Sequence, residues 1–380
     1  MAAPPLDGIR VIEAASYLSG PYTGQMLADL GAEVIKVEAP PRGDAFRRFN
    51  RPPAIYSPIF ANANRGKRSV LADLKNPAAR EAVLELVGTS DVWITNWRPG
   101  VAERLGMSDN ILADRNPRLV RLYLSGYGPE GPRAHAPVFD TVIQATSGLT
   151  HALSGGDQPS LLPGFPLDKM TAALAAQAVT AALFARERTG QGERIDMSML
   201  AAAAYVNFVE LFANRTFVDA QPSDARNLHA IGLRPLRAKD GWLTIAPVSG
   251  AGIKKLCEAL GHPEWVDELQ ALDNQSNLAS TLFAQLDTIF PARTVDDLLE
   301  LLGDCDIAAA RCLSIDEHLA DAQVEVQDIY RTEHWDGIGQ VRTVRYPAYF
   351  ASAGRLAAPG PAPRVGQDNS RYLHTATSGS

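Results

Sequence analysis

Segments with strand-like and helix-like patterns alternate through the first 130 residues, and this alternation restricts the fold more than any other feature of the chain. Apolar runs typical of buried strands are separated by stretches with helical spacing. The predicted strands are Ile9–Ala14, Glu33–Glu38, Val92–Asn96 and Leu119–Ser125, and the clearest helices between them are Tyr22–Leu30 and Pro77–Val87. Strands that alternate with helices form a parallel sheet with helices on its faces. We therefore predict an α/β fold.

The turn after the first strand does not have the pattern of a dinucleotide site. Such sites need G-x-G-x-x-G, because the glycines let the backbone approach a pyrophosphate. Here the predicted turn Ser16–Pro21 carries only Gly20, followed by Pro21, and no Walker A loop occurs. The sequence therefore argues against nicotinamide and nucleoside triphosphate binding.

Composition narrows the class of protein further. The 380 residues are 46% hydrophobic and 21% charged, which excludes a disordered chain. The net charge of −7 argues against nucleic acid as a partner. Three cysteines fit neither a disulfide framework nor a zinc site. The most apolar stretch, Thr171–Phe184, is too short to span a membrane. With no leader pattern at the N-terminus, we expect a cytoplasmic protein that binds neither metal nor membrane.

Positive charge is concentrated in one part of the acidic chain. Twelve basic and seven acidic residues lie between Lys36 and Arg104. A local excess of this kind is typical either of a site for an anionic small molecule or of a solvated basic face.

The remaining sequence predicts a second domain inserted into the first. We place a large domain at 1–215, a linker at 216–234, a small domain at 235–320, and a return linker with the C-terminal part of the large domain at 321–380. Long helices are predicted over Asp168–Arg188 and Met199–Asn214, on either side of an extended Arg194–Ser198. Residues 217–234 lack periodicity. Ile307–Leu313 is predicted to start the return path.

Asp168 is the best single candidate for chemistry. It lies after Pro163-Gly164-Phe165-Pro166-Leu167, where the alanine-rich helix begins. There the helix dipole would keep the carboxylate ionised, and an ionised carboxylate can attack an activated acyl group. Aspartate is also a preferred N-cap residue, so a purely structural role stays open.

Other types of catalytic site have weaker support. No H-E-x-x-H or G-x-S-x-G motif occurs. The seven histidines are scattered, at His135, His151, His229, His262, His318, His334 and His374. Cys257 lies within a predicted helix and is expected in the core. Asn96-Trp97-Arg98-Pro99-Gly100 follows a predicted strand, where ligands of open α/β sheets bind, so Arg98 and Arg104 are candidates for phosphate or carboxylate binding.

Several short segments together resemble the family III CoA-transferases. The group includes formyl-CoA transferase and carnitine CoA-transferase, and α-methylacyl-CoA racemase is a relative. The order and spacing of the segments carry the resemblance, which runs over nearly the whole chain. They are Gly8–Glu13, Gly20-Pro21, Leu30–Glu38, Gly43-Asp44, Asn64–Val70, Asn96–Gly100, Gly126–Gly128, Phe139-Asp140, Ser147-Gly148, Asp168 and Arg188–Gly192.

The resemblance implies a fold and a set of site residues. The family has a Rossmann-like large α/β domain, an inserted smaller α+β domain, and a homodimer of interlocked rings. Asp168 matches the family's nucleophilic aspartate, and the CoA of an acyl-CoA substrate is the only cofactor implied. Residues that match CoA contacts, or lie in segments along CoA, are Asn96, Arg104, Tyr127, Lys67 and Arg68. Leu18 and Ala39 replace polar contacts of the family, and Arg42 is a candidate substitute for one of them.

The implied activity is transfer of CoA from an acyl-CoA to a carboxylic acid through an aspartyl-CoA thioester. Succinyl-CoA or another small dicarboxylate is our first expectation for the substrate, and transfer within one molecule stays open. The alternative is a racemase. Racemases of this family have a His-Asp pair where this chain has Phe139-Asp140, although His135 is near in sequence. A second alternative is a CoA-binding protein without catalysis.

Overall fold

The structure, a computed structural model, describes residues 2–50, 55–154, 158–212, 215–219, 234–246, 249–272, 275–357 and 359–373. The chain divides into two compact units. The first comprises Met1–Ser147, Leu162–Val206 and Val324–Ser380, and the second comprises Gly148–Leu161 and Asn207–Gln323.

A parallel sheet of six strands forms the centre of the first unit, as predicted. Its strands are β1 (Arg10–Ala14), β2 (Glu33–Glu38), β3 (Arg68–Leu71), β4 (Val92–Thr95), β5 (Val120–Ser125) and β6 (Arg194–Ser198). Their order is β3-β2-β1-β4-β5-β6, and all five pairings are parallel. The strand order reverses direction between β1 and β4. Ligands of open α/β sheets bind in the crevice at such a point, beyond the carboxyl ends of the strands.

Helices cover both faces of this sheet. In chain order the helices up to β7 are α1 (Ser19–Asp29), α2 (Pro58–Ala63), α3 (Pro77–Gly88), α4 (Val101–Arg104), α5 (Asp109–Arg115), α6 (Asp140–Thr146), α7 (Leu149–Ser154), α8 (Pro166–Thr189) and α9 (Met199–Leu211). Alternate side chains of β1 enter opposite cores, since Val11 packs on the side of α1 and α8 while Ile12 packs on the side of α3.

Helix α1 begins earlier than predicted. Its first residues are Ser19, Gly20 and Pro21, which the sequence placed in a turn. Proline is tolerated in the first turn of a helix, because its missing N–H has no partner there. A Cβ atom at Gly20 would lie 2.4 Å from the Cβ of Ala15, so only glycine lets the β1–α1 loop fold back this closely.

The second unit has its own sheet and core. Strands β7 (Leu236–Arg237), β8 (Trp242–Ala246) and β9 (Ala308–Arg311) form an antiparallel sheet. Around it lie α10 (Gly250–Ala259), α11 (Glu264–Gln270), α12 (Gln275–Ile289), α13 (Val295–Asp304) and α14 (Ile315–Leu319). Cys257 is buried in this core, as predicted. The expectation that 307–313 starts the return path is wrong, because β9 pairs with β8 in this sheet.

The chain then returns to the first unit. Helix α15 (Ala322–Val326) precedes a hairpin of β10 (Tyr330–Trp335) and β11 (Gly339–Val344), followed by β12 (Tyr349–Phe350), β13 (Gly354–Arg355) and α16 (Asn369–Tyr372). The backbone N–H of Ser69 donates to Asp368 at 2.9 Å, and that of Leu71 donates to Asn369 at 2.8 Å. The C-terminal segment therefore covers the edge strand β3. Of the predicted first linker, 220–233 lie outside the described residues.

Candidate functional site

Asp168 is the third residue of α8, within its first turn. Phe165 is the N-cap residue, and its side chain makes no capping hydrogen bond. The N–H of Asp168 instead donates to Oδ2 of Asp140, at 2.9 Å. Asp168 is therefore not the N-cap residue, and the structural role considered from the sequence is wrong. Asp140 satisfies this N–H of the helix from outside it.

Asp140 is itself held in place. It is buried at the start of α6, and Nε2 of Gln144 donates to its Oδ1 at 2.6 Å. The same amide nitrogen also lies 3.1 Å from the carbonyl oxygen of Leu162, and the N–H of Leu162 donates to Oε1 of Gln144 at 2.9 Å. This network ties α6 to the segment that leads into α8, and so fixes the position of Asp168.

The carboxyl group of Asp168 is not in the state expected from the sequence. Burial and, next, the charge of Asp140 raise the pKa of Asp168 from 3.8 to about 7. Hydrogen bonds from the hydroxyl and backbone of Ser19, at the start of α1, act in the opposite direction. The expectation of full ionisation at neutral pH considered only the helix dipole, and the cost of burial outweighs that effect. At pH 7 the free protein therefore holds both forms in comparable amounts.

Asp168 lines a cavity of about 260 Å³ at the carboxyl ends of the central strands. The β1–α1 loop contributes Ser16, Tyr17 and Ser19, and residues after β4 and β5 contribute further walls. The cavity thus lies at the reversal point of the sheet, where ligands of such folds bind.

Asn96 lines this cavity, and its side chain is hydrogen-bonded to the backbone of the cavity wall. Its Oδ1 accepts the N–H of Ser16 at 3.0 Å, and its Nδ2 donates to the carbonyl oxygen of Ser16 at 2.7 Å. Both ends of the amide are thereby engaged with the β1–α1 loop. Asn96 therefore positions that loop, which leads into α1 at Ser19.

Arg98 is exposed and borders two cavities. One is the cavity of Asp168, and the other, of about 140 Å³, also includes Tyr123, Arg194 and Asp196. Among the sequence-predicted residues, the structure brings Asp168, Asn96 and Arg98 together around the first cavity.

The other predicted contacts do not line that cavity. Arg42 and Arg104 are exposed, and Arg68 is half-buried on the edge strand β3. The ring of Tyr127 is half-buried and lies 4.9 Å from the guanidinium of Arg133. Of the replaced family contacts, Leu18 is buried and Ala39 is exposed.

Lys67 differs most from its expected role. Its side chain has 0% exposure, and its Nζ lies 2.7 Å from Oε2 of Glu13. It also donates to the carbonyl oxygen of Pro21 at 2.6 Å and to Oδ1 of Asn64 at 2.9 Å. All of its donors are used inside the protein. The direct contact with CoA predicted for Lys67 is therefore not present in this arrangement.

Lys67 belongs to a buried ion cluster that the sequence analysis missed. Nζ of Lys36 lies 2.8 Å from Oε1 of Glu13 and 2.9 Å from Oδ2 of Asp44, and donates to the carbonyl oxygen of Ala15 at 2.8 Å. Burial alone would raise the pKa of Glu13, but the two ammonium groups overcome this and hold it below its ordinary value. The charged residues within the predicted strands Ile9–Ala14 and Glu33–Glu38 were the feature of the sequence that could have revealed this cluster.

Two further observations concern the described part of the chain. None of its helices is long and apolar enough to cross a bilayer. Within it, no group of three or more His, Cys, Asp or Glu side chains is arranged to hold a metal ion.

Comparison with known proteins shows which family this chain resembles in sequence and structure. The family model described as CoA-transferase family III matches residues 6–369. A probable fatty acyl-CoA transferase of Mycobacterium tuberculosis, Rv3272, is 32% identical, with 98% of each chain covered. The succinate–glutarate CoA-transferase of Agrobacterium fabrum is also 32% identical, with 97% of this chain and 95% of that protein covered.

Solved structures agree with this comparison. The crystal structure of an aspartate-to-alanine mutant of Rv3272 matches with a TM-score of 0.84 and 31% identity, covering 98% of this chain and 99% of that one. Sequence and fold agree over almost the full length. The chain therefore belongs to CoA-transferase family III and is a transferase.

Proposed function

We propose that this transferase moves CoA from an acyl-CoA to a carboxylic acid, with Asp168 as the covalent nucleophile. The observation that carries the proposal is the placement of a carboxyl group with a raised pKa in a cavity at the reversal point of the sheet. Relatives are named as CoA-transferases acting on several acids, which supports the reaction class and leaves the acid open.

The reaction divides into two symmetrical halves. The Asp168 carboxylate attacks the thioester carbonyl carbon, the C–S bond breaks, and CoA departs as the thiolate. A mixed anhydride between Asp168 and the donor acyl group remains on the protein. The thiolate then attacks the aspartyl carbonyl, which releases the donor carboxylate and forms aspartyl-CoA. The acceptor carboxylate attacks this thioester and displaces the thiolate, giving a second anhydride. The thiolate attacks its acyl carbonyl, which yields the new acyl-CoA and restores Asp168.

The surroundings of Asp168 suit these steps. A partly desolvated carboxylate is a stronger nucleophile than a hydrated one, and burial of Asp168 supplies this condition. Ser19 favours the ionised carboxylate by lowering its pKa, and Asp140 fixes the backbone of Asp168. The N-terminus of α8 favours negative charge as tetrahedral oxyanions form.

CoA contacts are proposed for the basic and aromatic residues that remain accessible. Arg98 borders the cavity and is exposed, so its guanidinium is free to bind a phosphate or the pantetheine end. Arg42, Arg68, Arg104 and Tyr127 are assigned to more distant parts of CoA on the family resemblance. Asn96 is assigned a positioning role for the β1–α1 loop.

The racemase alternative has less support. Racemisation needs two proton carriers on opposite faces of the substrate. The side chain of Phe139 lines the cavity and carries no proton, while His135 is exposed and is not among the described lining residues. A binding protein without catalysis would not need a carboxyl group with this perturbed pKa.

Trapping of the intermediate tests the proposal. The protein is incubated with an acyl-CoA and no acceptor, and hydroxylamine is added. We expect a hydroxamate on the peptide that contains Asp168, and borohydride should instead reduce the thioester to an alcohol there. Asp168→Ala should form no adduct and lose about a thousandfold or more in rate. The control Asp114→Ala changes an exposed aspartate of α5 and should keep both adduct formation and the wild-type rate. Turnover at the wild-type rate by Asp168→Ala would refute the assignment.

A further inference from the structure

The wall of the Asp168 cavity combines apolar side chains with serine, asparagine and arginine side chains. Two aromatic side chains line it while keeping much of their surface exposed, Tyr17 at 41% and Phe139 at 55%. Their rings meet edge to face with centroids 5.3 Å apart. Val138, Leu124 and Met199 are among the other apolar residues of the wall. Together these rings form an exposed apolar surface that a bound ligand can cover.

These rings belong to a supported aromatic cluster. Tyr17 contacts the buried ring of Phe46 at 5.5 Å, and Phe46 in turn contacts Phe165 at 6.1 Å. Phe165 immediately precedes α8, the helix that carries Asp168. The cluster therefore connects the apolar wall to the reactive residue, and edge-to-face contacts hold its geometry.

The backbone of Tyr17 is also fixed. Its φ is 65°, in the left-handed region that non-glycine residues rarely adopt. Its N–H donates to Oδ1 of Asp44 at 3.2 Å, and Asp44 is anchored by Lys36. An unfavourable conformation of this kind persists only where its surroundings enforce it, and such conformations cluster at ligand sites. The ring of Tyr17 is thus placed at the cavity by the buried ion cluster.

Positive charge is scarce in the same cavity. Among the described residues that line it, Arg98 is the one cation. The cationic groups of Lys36 and Lys67 have 0% exposure and are paired with Glu13. If Arg98 binds CoA, no cation of the described wall remains for a second carboxylate. Moving a carboxylate from water to a site without a cationic partner is disfavoured.

From this wall we infer that the acyl group placed on Asp168 is that of an apolar monocarboxylic acid, aryl or aliphatic, with its tail against Tyr17 and Phe139. The inference rests on the proposed transferase function. It differs from the small dicarboxylate expected from the sequence. Discrimination by an apolar pocket amounts to about tenfold or more for each well-placed group.

The first half-reaction tests this substrate class. 3-Phenylpropionyl-CoA, hexanoyl-CoA, succinyl-CoA and glutaryl-CoA are each incubated with the protein without acceptor, and hydroxamate on the Asp168 peptide is measured over time. The two apolar thioesters should react at least about tenfold faster than the two acidic ones at equal low concentration. Equal or faster reaction of glutaryl-CoA or succinyl-CoA overturns the inference alone. Absence of an adduct with all four overturns the proposed function, and the inference with it.

Variants at the wall sharpen the test. Phe139→Ala should slow the apolar thioesters about tenfold and change glutaryl-CoA by less than about twofold. Phe139→Arg supplies a cation and should shift preference toward glutaryl-CoA. The control Tyr349→Ala removes an exposed ring of β12 that does not line this cavity, and should change neither rate. An equal loss with both substrate classes in Phe139→Ala contradicts the inference, and this variant decides if Phe139→Arg does not fold.

Discussion

Asp168→Asn should destroy activity and stabilise the protein. The pKa of Asp168 rises from 3.8 to about 7 on folding, first because of burial and then because of Asp140. Each pKa unit corresponds to ~1.36 kcal/mol of differential interaction, so ionised Asp168 opposes folding by about 4 kcal/mol at most. Asparagine has the same shape without the charge. It loses the favourable interaction of a carboxylate with the helix N-terminus, about 0.3–1 kcal/mol. We therefore expect a gain of about 2–4 kcal/mol in the free energy of unfolding at pH 8.

The pH dependence of this gain identifies its cause. A raised pKa in the folded state contributes stability that is complete below pH 3.8 and is lost as pH rises through about 7. The difference between Asp168→Asn and wild type should thus be small near pH 4, grow between pH 4 and 7, and level off above about pH 8. Titrating groups that do not interact with Asp168 contribute equally to both proteins and cancel in the difference.

Urea unfolding at several pH values measures this difference directly. Asp114→Asn makes the same chemical change at an exposed position of α5 and serves as the control. A stability difference for Asp168→Asn that stays constant from pH 4 to 9 would refute the electrostatic reasoning. Activity retained at the wild-type level would refute the role of Asp168 as nucleophile.

Three further predictions concern charge and assembly. Lys67→Met should lower the free energy of unfolding by about 3–5 kcal/mol, measured in urea, because it removes one partner of a buried ion pair, whereas Arg68→Met should cost far less. Unchanged stability of Lys67→Met would contradict the burial of this cluster. Arg104→Ala should weaken CoA binding by about 1.5–3 kcal/mol in calorimetry, with a smaller effect at high salt; unchanged affinity would move the phosphate site elsewhere. We also propose the interlocked homodimer of the family, so differently tagged dimers should form no hybrids under native conditions, and rapid hybrid formation would exclude it.

Local patterning accounts for the part of the fold that the sequence predicted well. Strands β2 and β6 have the predicted bounds, Glu33–Glu38 and Arg194–Ser198, because apolar runs and flanking turns are read from the residues themselves. The short strand Arg68–Leu71 and the helix Asp109–Arg115 were missed, since neither contains enough residues for a clear period. The prediction that 307–313 starts the return path was wrong for another reason. This segment pairs with β8, which is distant in sequence, and such a contact cannot be read from local patterning.

Charge was the property that the sequence could locate but not interpret. Between Lys36 and Arg104 it shows an excess of basic residues, which suggested an anion site. In the structure Lys36, Arg47 and Lys67 are buried and paired with Glu13 or Glu38, so they contribute structure and little external potential. The sequence does not show whether the ammonium group of a lysine in a motif faces a phosphate or a buried glutamate. The packing of α1 over β1 and β2 distinguishes the two, because it buries these ammonium groups and places Lys36 against Asp44, which accepts the N–H of Tyr17 beside the Asp168 cavity.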